Sequence, residues 1–272
     1  MSEPARRRWS RAYARLRRTE GRGAGGEREL FALPWVTKGP LAAQWRVRAR
    51  TFGAFLRRVV APLESERGRA LNVLDLGAGN GWLSARLTER GHRCVATDLR
   101  VDNVDGLAAA APFARRLPRM FGRVAASFDA LPLRSRLFDL VVFDASLHLA
   151  EDLSRVLAEA SRAAAPGGRV AILDSPFYAR PASGEAMRAE KHRETAARFP
   201  DVAEDLLALA PVEYLTKDRL AAAAAPTGLA FRRRRVLYPV TYEARGLVAR
   251  MKGVRAPSRF DLWVAIAAGG SP

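Results

Sequence analysis

The sequence predicts an α/β fold, a doubly wound and mainly parallel sheet of about seven strands with helices on both faces. Apolar strand-like runs alternate with helix-like runs from residue 71 onward, and a glycine-rich turn follows the first strand. Strands are expected near residues 71–76, 93–97, 122–127, 138–144, 168–174, 229–237 and 260–267, and helices near 81–90, 103–116, 151–164 and 215–225. No helix is predicted between the last two strands, so they could pair antiparallel.

The turn after the first strand has the composition of a ligand-binding loop. The stretch LNVLDLGAGNGWLSARL, residues 71–87, places Gly77, Gly79 and Gly81 at alternate positions. Glycine tolerates positive φ and close backbone approach, and the helix that follows offers unpaired N–H groups and the positive end of its dipole. A nucleotide-like ligand is therefore expected, and a glycine-rich turn without a ligand is the alternative.

Two features separate this turn from a dinucleotide-binding loop. That loop reads G-x-G-x-x-G, and its third glycine lets the helix pack on the strand, whereas Trp82 occupies the position here. Asp75 stands two residues before the first glycine, where a carboxylate favours a ligand that carries positive charge. The turn therefore favours a cationic ligand over a pyrophosphate.

Acidic residues after the next strands extend the same site, because open α/β sheets bind ligands at the carboxyl ends of their strands. Asp98 lies 21 positions after Gly77, where a carboxylate would accept hydrogen bonds from both hydroxyls of a ribose. Asp129 follows the third strand, and Phe128 beside it could stack on a base. Each carboxylate taken alone could lie on the surface or cap a helix, but the recurrence of Asp75, Asp98 and Asp129 favours one site.

An acidic residue followed by G-x-G-x-G resembles the first motif of the class I S-adenosylmethionine-dependent methyltransferases, and the resemblance can be followed from about Leu71 to Ile266. It implies a Rossmann-like sheet whose last strand is antiparallel, S-adenosyl-L-methionine as the cofactor, no metal, and a small-molecule acceptor as in the type 11-like branch. It also implies the cofactor-binding residues Asp75, Gly77, Ala78, Gly79, Asn80, Gly81, Asp98, Leu99, Phe128, Asp129, Ala130, Asp144 and Ser146.

The end of the fourth strand, FDLVVFDASLHLAEDL, carries further polar residues. Asp139 precedes the apolar run and is expected to be structural, whereas Asp144, Ser146 and His148 emerge at the carboxyl end. Enzymes that methylate exocyclic amines of nucleobases carry an Asn or Asp, two prolines and an aromatic residue here, and this sequence does not. The similar DSPFY at 174–178 follows the fifth strand and is interpreted as the start of a loop.

His148 is the candidate general base, because of the three histidines only this one is expected to lie near a substrate. A hydroxyl acceptor must lose a proton, and an imidazole with a pKa near 6.5 can accept it at neutral pH. The alternative is a histidine that packs against the cofactor or caps the helix near residue 151.

The formal net charge of +18 is concentrated towards the two ends of the chain. Residues 1–22 carry eight arginines against two acids, and residues 230–259 carry nine basic residues against one acid. Such regions can bind nucleic acid or an anionic membrane surface. A basic surface of compositional origin explains the charge equally well, so neither partner is favoured.

Two further properties bear on location and oxidation state. The sequence has no run of 18 or more apolar residues and no apolar stretch behind its basic N-terminus, so we expect a cytoplasmic protein without a spanning helix or secretory signal. The single cysteine, Cys94, is expected to be an inert core thiol. The oligomeric state is left open.

Two regions fall outside the repeating unit. Residues 1–70 are expected to form a basic arm and a helical cap, and residues 71–272 a methyltransferase domain. An insert at about 175–214 is expected to be a helix and loop that cover the substrate pocket.

The arm itself has an amphipathic pattern. Trp9, Ala12, Tyr13 and Leu16 fall at helical spacing among arginines. Such a helix can rest on a membrane surface, on a polyanion or on the protein's own pocket, and we predict the last.

The resemblance and the residues together predict methyl transfer to the oxygen, nitrogen or carbon of a small molecule. An RNA or protein methyltransferase, which the basic ends would favour, is one alternative. A nucleotide-binding module without catalysis is the other.

Overall fold

The computed structural model describes residues 3–209 and 211–268, which contain one seven-stranded sheet in the order β3-β2-β1-β4-β5-β7-β6. The strands are β1 (Asn72–Leu76), β2 (Arg93–Asp98), β3 (Gly122–Ala125), β4 (Phe138–Asp144), β5 (Ala164–Leu173), β6 (Arg232–Arg234) and β7 (Leu262–Ile266). The first five strands run parallel, and β7 is antiparallel to both β5 and β6. The predicted doubly wound sheet with an antiparallel end is confirmed.

Helices occupy the connections and the N-terminal region. The α-helices of the described residues are α1 (Glu3–Thr19), α2 (Gly26–Ala32), α3 (Ala42–Phe55), α4 (Ala61–Arg67), α5 (Trp82–Glu89), α6 (Leu153–Ala163), α7 (Pro181–Arg198), α8 (Ala203–Leu207), α9 (Lys217–Ala224), α10 (Val240–Glu243) and α11 (Arg245–Met251). A π-helical turn, Leu56–Val60, joins α3 to α4. No helix in this part of the chain is long and apolar enough to cross a membrane.

The hydrophobic core lies on both faces of the sheet, as predicted. Successive residues of a strand point to opposite faces, so Val73 of β1 packs into one cluster and Leu74 into the other. Side chains of α3, α4 and α5 fill the first cluster, and those of α6 and α9 fill the second. The N-terminal helices therefore share a core with the sheet.

Two side chains confirm structural roles predicted from the sequence. Cys94 is buried, and burial raises the pKa of its thiol to about 12, so the thiol stays protonated. Asp139 is 1% exposed and accepts two hydrogen bonds from Arg69, at 2.8 and 2.9 Å, and one from the Asn72 backbone. Its carboxylate therefore joins β4 to the start of β1.

Some predicted boundaries are wrong, each for a local reason. The α-helix expected over 103–116 is a 3-10 segment, Leu107–Arg115, which contains Pro112 and so lacks one backbone donor. The fifth strand starts at Ala164 instead of 168, and its A-P-G-G residues form an irregularity in the pairing with β4.

The largest difference between the predicted and the observed elements lies between β6 and β7. β6 is three residues long, because the Val236 N–H donates to the Asp261 carboxylate and does not extend the sheet. The expectation of no helix between the last two strands is wrong, since α10 and α11 lie there. Pro239 stands at the N-cap of α10, a position that suits its fixed φ.

Candidate functional site

A cleft lies at the carboxyl ends of β1, β2 and β4, and the glycine-rich turn forms part of its wall. Gly77, Gly79 and Gly81 all have positive φ, at 73°, 55° and 70°. A Cβ on Gly77 would come within 2.5 Å of Ser146 Cβ, and one on Gly81 within 2.7 Å of a ring carbon of Phe121. The predicted reason for glycine, positive φ with close approach, is confirmed.

Asp75 is a buried carboxylate in the wall of this cleft. Its Oδ2 accepts a hydrogen bond from Ser84 Oγ at 2.9 Å, and its Oδ1 has no partner within the described part of the chain. Burial, and then the charge of Asp144, raises the pKa of Asp75 from 3.8 to about 7. A cation or hydrogen-bond donor bound here would relieve this cost.

Asp98 positions the turn from the next strand. Its two oxygens accept hydrogen bonds from the backbone N–H groups of Gly79 and Arg100, each at 2.8 Å. Burial raises the pKa of Asp98 to about 6, although both hydrogen bonds oppose the shift. Each carboxylate oxygen keeps a further lone pair for a ligand. Leu99 and Asn80, also predicted from the sequence, line the cleft as well.

The loop after the third strand contributes an aromatic and an acidic side chain to the cleft. Phe128 and Asp129 both line it, and Phe128 is held edge-to-face against Phe143 with ring centroids 6.3 Å apart. Ala130, although predicted beside them, is exposed and lies outside the cleft wall of the described residues.

The residues after β4 divide between the cleft and its support. Asp144 lines the cleft, whereas Ser146 and His148 do not belong to the wall formed by residues 3–209 and 211–268. Ser146 instead donates a hydrogen bond to the Leu76 carbonyl at 2.5 Å and packs under Gly77. It therefore supports the glycine turn, and any contact of Ser146 or Ala130 with a cofactor stays a prediction.

Arg48, which the sequence analysis missed, connects the N-terminal helices to this site. Its Nη2 donates to Asp144 Oδ2 at 2.7 Å, and its Nε lies 3.5 Å from Asp174 Oδ2. The guanidinium also stacks over Trp45 and Trp82, 4.5 and 5.4 Å from the ring centroids.

This buried cluster keeps unsatisfied atoms. Burial and then the charge of Asp144 raise the pKa of Asp174. Asp144 Oδ1, Asp174 Oδ1 and Arg48 Nε have no hydrogen-bond partner among the described residues. The hydrogen bonds of this cluster are therefore incomplete, and two of its members, Arg48 and Asp144, line the cleft.

Arg22 is a second cation that the sequence analysis missed. It is 6% exposed, lines the cleft and donates to Gln44 Oε1 at 2.8 Å, while its Nε has no partner in the described chain. Burial, and then the charge of Arg17, lowers the pKa of Arg22 to about 10. A buried guanidinium without a carboxylate partner favours an anionic ligand.

His148 lies in a one-turn 3-10 helix, Leu147–Leu149, after β4. Its Nδ1 is 3.5 Å from Ser175 Oγ. Burial, then the charges of Lys191, Arg17 and Arg48, lowers the pKa of His148 to about 3, so the ring is neutral at physiological pH.

The other two histidines each pair with a glutamate. His92 lies between helix α5 and strand β2 and pairs with Glu64 at 2.9 Å. His192 lies in α7 and pairs with Glu213 at 2.9 Å.

The outer wall of the cleft comes from the two regions outside the repeating unit. α1 contributes Trp9, Tyr13, Leu16 and Arg17, so the predicted arm rests on the protein's own cleft. Arg17 is held there by Asp105, with Nη2 to Oδ2 at 2.7 Å. The segment 175–214 contributes apolar and charged side chains, namely Lys191, Thr195, Leu206, Leu207, Leu209, Pro211 and Glu213.

Comparison with known proteins agrees with this fold. Residues 74–172, somewhat more than a third of the chain, match the family described as a methyltransferase domain. A malonyl-[acyl-carrier protein] O-methyltransferase of Geobacter sulfurreducens is 35% identical over 133 residues, which are 48% of this chain and 48% of that protein. The chain thus spans about half the length of the curated relative it matches.

Two solved structures have the same fold. A provisionally named sarcosine dimethylglycine methyltransferase of Galdieria sulphuraria aligns over 88% of this chain and 97% of its own, with a TM-score of 0.55 at 15% identity. The 1,6-didemethyltoxoflavin-N1-methyltransferase of Burkholderia thailandensis, solved with bound 1,6-didemethyltoxoflavin and S-adenosylhomocysteine, aligns over 79% of both chains, with a TM-score of 0.50 at 22% identity.

The strand order, the acidic G-x-G-x-G turn and the family match define the class. The chain has the fold of the class I S-adenosylmethionine-dependent methyltransferases, and residues 74–172 match the methyltransferase-domain family.

Proposed function

We propose that the protein is an S-adenosylmethionine-dependent methyltransferase that acts on a small molecule. The observation that carries the proposal is the pattern of unpartnered buried atoms around the glycine turn. Among the described residues, Asp75 and Asp144 each keep a carboxylate oxygen without a hydrogen-bond partner, and Arg22 and Arg48 each keep a guanidinium Nε without one. All four side chains line one cleft.

This set of donors and acceptors fits the amino-acid end of S-adenosyl-L-methionine. That end carries an ammonium, a carboxylate and the sulfonium, so Asp75 and Asp144 would hold the cationic groups. Arg22 and Arg48 would hold the carboxylate. A pyrophosphate offers no cation to the two carboxylates, which favours this cofactor over a dinucleotide.

The adenosine end fits the remaining predicted residues. Asp98 would accept hydrogen bonds from the ribose hydroxyls, with Leu99 beside it. Phe128 would stack on the adenine, and Asp129 would accept from its exocyclic amine. The bound cofactor supplies an electrophilic methyl group, and the protein's contribution is to align the acceptor with it, which is worth on the order of 7–11 kcal/mol when alignment is good.

The covering of the cleft supports a small acceptor. We infer that residues 1–70 serve as an arm and cap and that the insert at 175–214 closes the acceptor side, because both contribute to the cleft wall. Apolar side chains such as Leu206, Leu207 and Pro211 suit an apolar or amphipathic acceptor. An RNA or protein acceptor would need an open approach, and oxygen, nitrogen and carbon all stay possible as the methylated atom.

The role of His148 as general base is untested, and the lowered pKa of His148 argues against it. A base works best when its pKa is near the operating pH, and a value of about 3 is far below it. We therefore expect His148→Gln to lower kcat by less than tenfold and to leave the pH profile unchanged, measured once an acceptor is known. A loss of a hundredfold or more, with an altered profile, would establish proton transfer through His148.

Calorimetry followed by label transfer tests the proposed function. We expect S-adenosylmethionine and S-adenosylhomocysteine to bind and NADH not to bind, because the cleft needs a cation beside Asp75. Methyl-labelled cofactor and fractionated cell extract should then yield a labelled small molecule. Tighter binding of NADH would overturn the cofactor, label in RNA or protein would overturn the acceptor class, and binding without any transfer would indicate a non-catalytic module.

A further inference from the structure

The segment between β6 and β7 exposes apolar side chains that its helices do not bury. Six large ones protrude into solvent, with exposed fractions from 44% to 83%: Leu237, Val240, Leu247, Val248, Met251 and Val254. Isolated exposed apolar residues are ordinary, but a cluster marks an interaction surface.

The spacing of these residues places two of them on one side of α11. Leu247 and Met251 stand at i and i+4, Ala249 is the buried residue of this helix, and Val254 follows after the helix has ended. An amphipathic helix normally turns its apolar stripe to the core. Here the stripe faces outward, so it is available to another surface.

Uncompensated positive charge lies in the same part of the chain as the stripe. Arg232, Arg250 and Lys252 are exposed and form no ion pair within the part of the chain that the structure describes. No acidic residue occurs from 244 to 258, and Glu243 is already paired with Arg259 and Arg235 at 2.7 and 3.0 Å. The surface therefore attracts negative charge.

We propose that this basic apolar face, the six apolar residues with Arg250 and Lys252, docks on an anionic lipid membrane surface. Protruding aliphatic side chains beside cations suit insertion among lipid headgroups. RNA would use the cations but not the aliphatic stripe, and the two aromatic residues between 237 and 254, Tyr238 and Tyr242, already pack against each other with ring centroids 4.1 Å apart. Protein hot spots favour Trp, Tyr and Arg over Leu and Val, so a protein partner fits less well.

Sedimentation with lipid vesicles tests the proposal without any measurement of turnover, so it can fail independently of the proposed function. We expect the full chain to bind vesicles of phosphatidylcholine and phosphatidylglycerol in equal parts and not vesicles of phosphatidylcholine alone. Each cation near an anionic surface contributes roughly a factor of five to binding, so Arg250→Gln with Lys252→Gln should weaken binding roughly 25-fold. Leu247→Ser with Met251→Ser should weaken it at least tenfold, because the apolar contact is lost.

A matched control separates this face from general surface charge and hydrophobicity. Arg134→Gln with Leu137→Ser removes one exposed cation and one exposed apolar side chain elsewhere and should leave vesicle binding within twofold. All substitutions are at exposed side chains, and circular dichroism checks that the variants fold. Binding that is equal in all variants, or absent from anionic vesicles while polyuridine or an acidic protein binds, would overturn the proposal.

Discussion

At the scale of single residues, Asp75 shows how a binding site is held at the expense of stability. The carboxylate is 1% exposed, and only one of its oxygens has a partner among the described residues. An ionised, buried and incompletely paired carboxylate destabilises the folded state. The folded state tolerates this destabilisation, and a cationic ligand would bind more tightly because it would pair with the carboxylate.

The variant Asp75→Asn separates these two effects. The folded pKa of about 7 lies above the unfolded value near 3.8, so ionisation destabilises the wild-type protein progressively between pH 4 and pH 7. Asparagine has no charge to bury and can still accept from Ser84. We expect the ligand-free variant to match or exceed the thermal stability of the wild type, by a margin that grows up to pH 7 and then stays constant.

The same variant should bind S-adenosylmethionine more weakly, because the cation loses its partner. Wild-type affinity should rise from pH 6 to pH 8, and the variant should lose most of this rise in calorimetry. Ser84→Ala is the control, since it removes the Asp75 hydrogen bond and keeps the charge. If Asp75→Asn destabilises the protein at pH 8 and binds normally, the carboxylate is structural and the role proposed for it is wrong.

The residues predicted from sequence are those whose chemistry follows from a local turn. Gly77, Gly79 and Gly81 and the carboxylates after β1 and β2 needed only the strand-turn-helix pattern. Arg48 and Asp144 are 96 positions apart, so no local pattern pairs them. One feature of the sequence could have indicated Arg48: this arginine lies on the buried side of α3, between Trp45 and Phe52.

At the scale of elements, the central strands were predictable and the sheet edge was not. β1 and β4 are covered on both faces, so their sequences are rich in apolar residues, NVLDL and FDLVVFD, and mark the strands clearly. β6 is exposed along its whole length and consists of three arginines. Its position depends on pairing with β7 and on Asp261, which the sequence pattern does not reveal.

α1 was predictable as a helix, and its burial side could be derived from spacing. Trp9 and Ala12 are buried at 8% and 5% exposure, as their positions on one side of a helix require. The choice among membrane, polyanion and cleft needed the structure, because amphipathic spacing is the same for all three. Contacts with α8 and with Asp105 place α1 against the protein itself.

At the scale of the whole molecule, the net charge of +18 divides between two regions with different surroundings. In the first region, Arg8 pairs with Asp205 and Arg17 with Asp105, and these ion pairs hold α1 against the rest of the fold. Several arginines of the second region are also ion-paired, but Arg250 and Lys252, next to the exposed apolar residues, have no such partner in the described chain. The two basic regions should therefore serve different tasks, the first closing the cleft and the second contacting an external anionic surface.

A substitution in one basic region should impair the task of that region and leave the task of the other unchanged. Arg17→Gln leaves Asp105 with one fewer partner in a partly buried site, which typically costs about 1–3 kcal/mol. It should loosen α1 and weaken S-adenosylmethionine binding about tenfold by calorimetry. Vesicle binding should not change, because the outward face of α11 is untouched.

Arg18→Gln is the matched control for this prediction, since Arg18 is exposed and forms no ion pair within the described residues. It removes the same charge from the same helix and should leave ligand affinity unchanged. The opposite pattern should hold for Arg250→Gln with Lys252→Gln, which should bind ligand normally and vesicles weakly. If deletion of residues 1–22 instead left turnover intact and abolished vesicle or RNA binding, the arm would be a targeting segment, and the division of tasks between the two basic regions would be wrong.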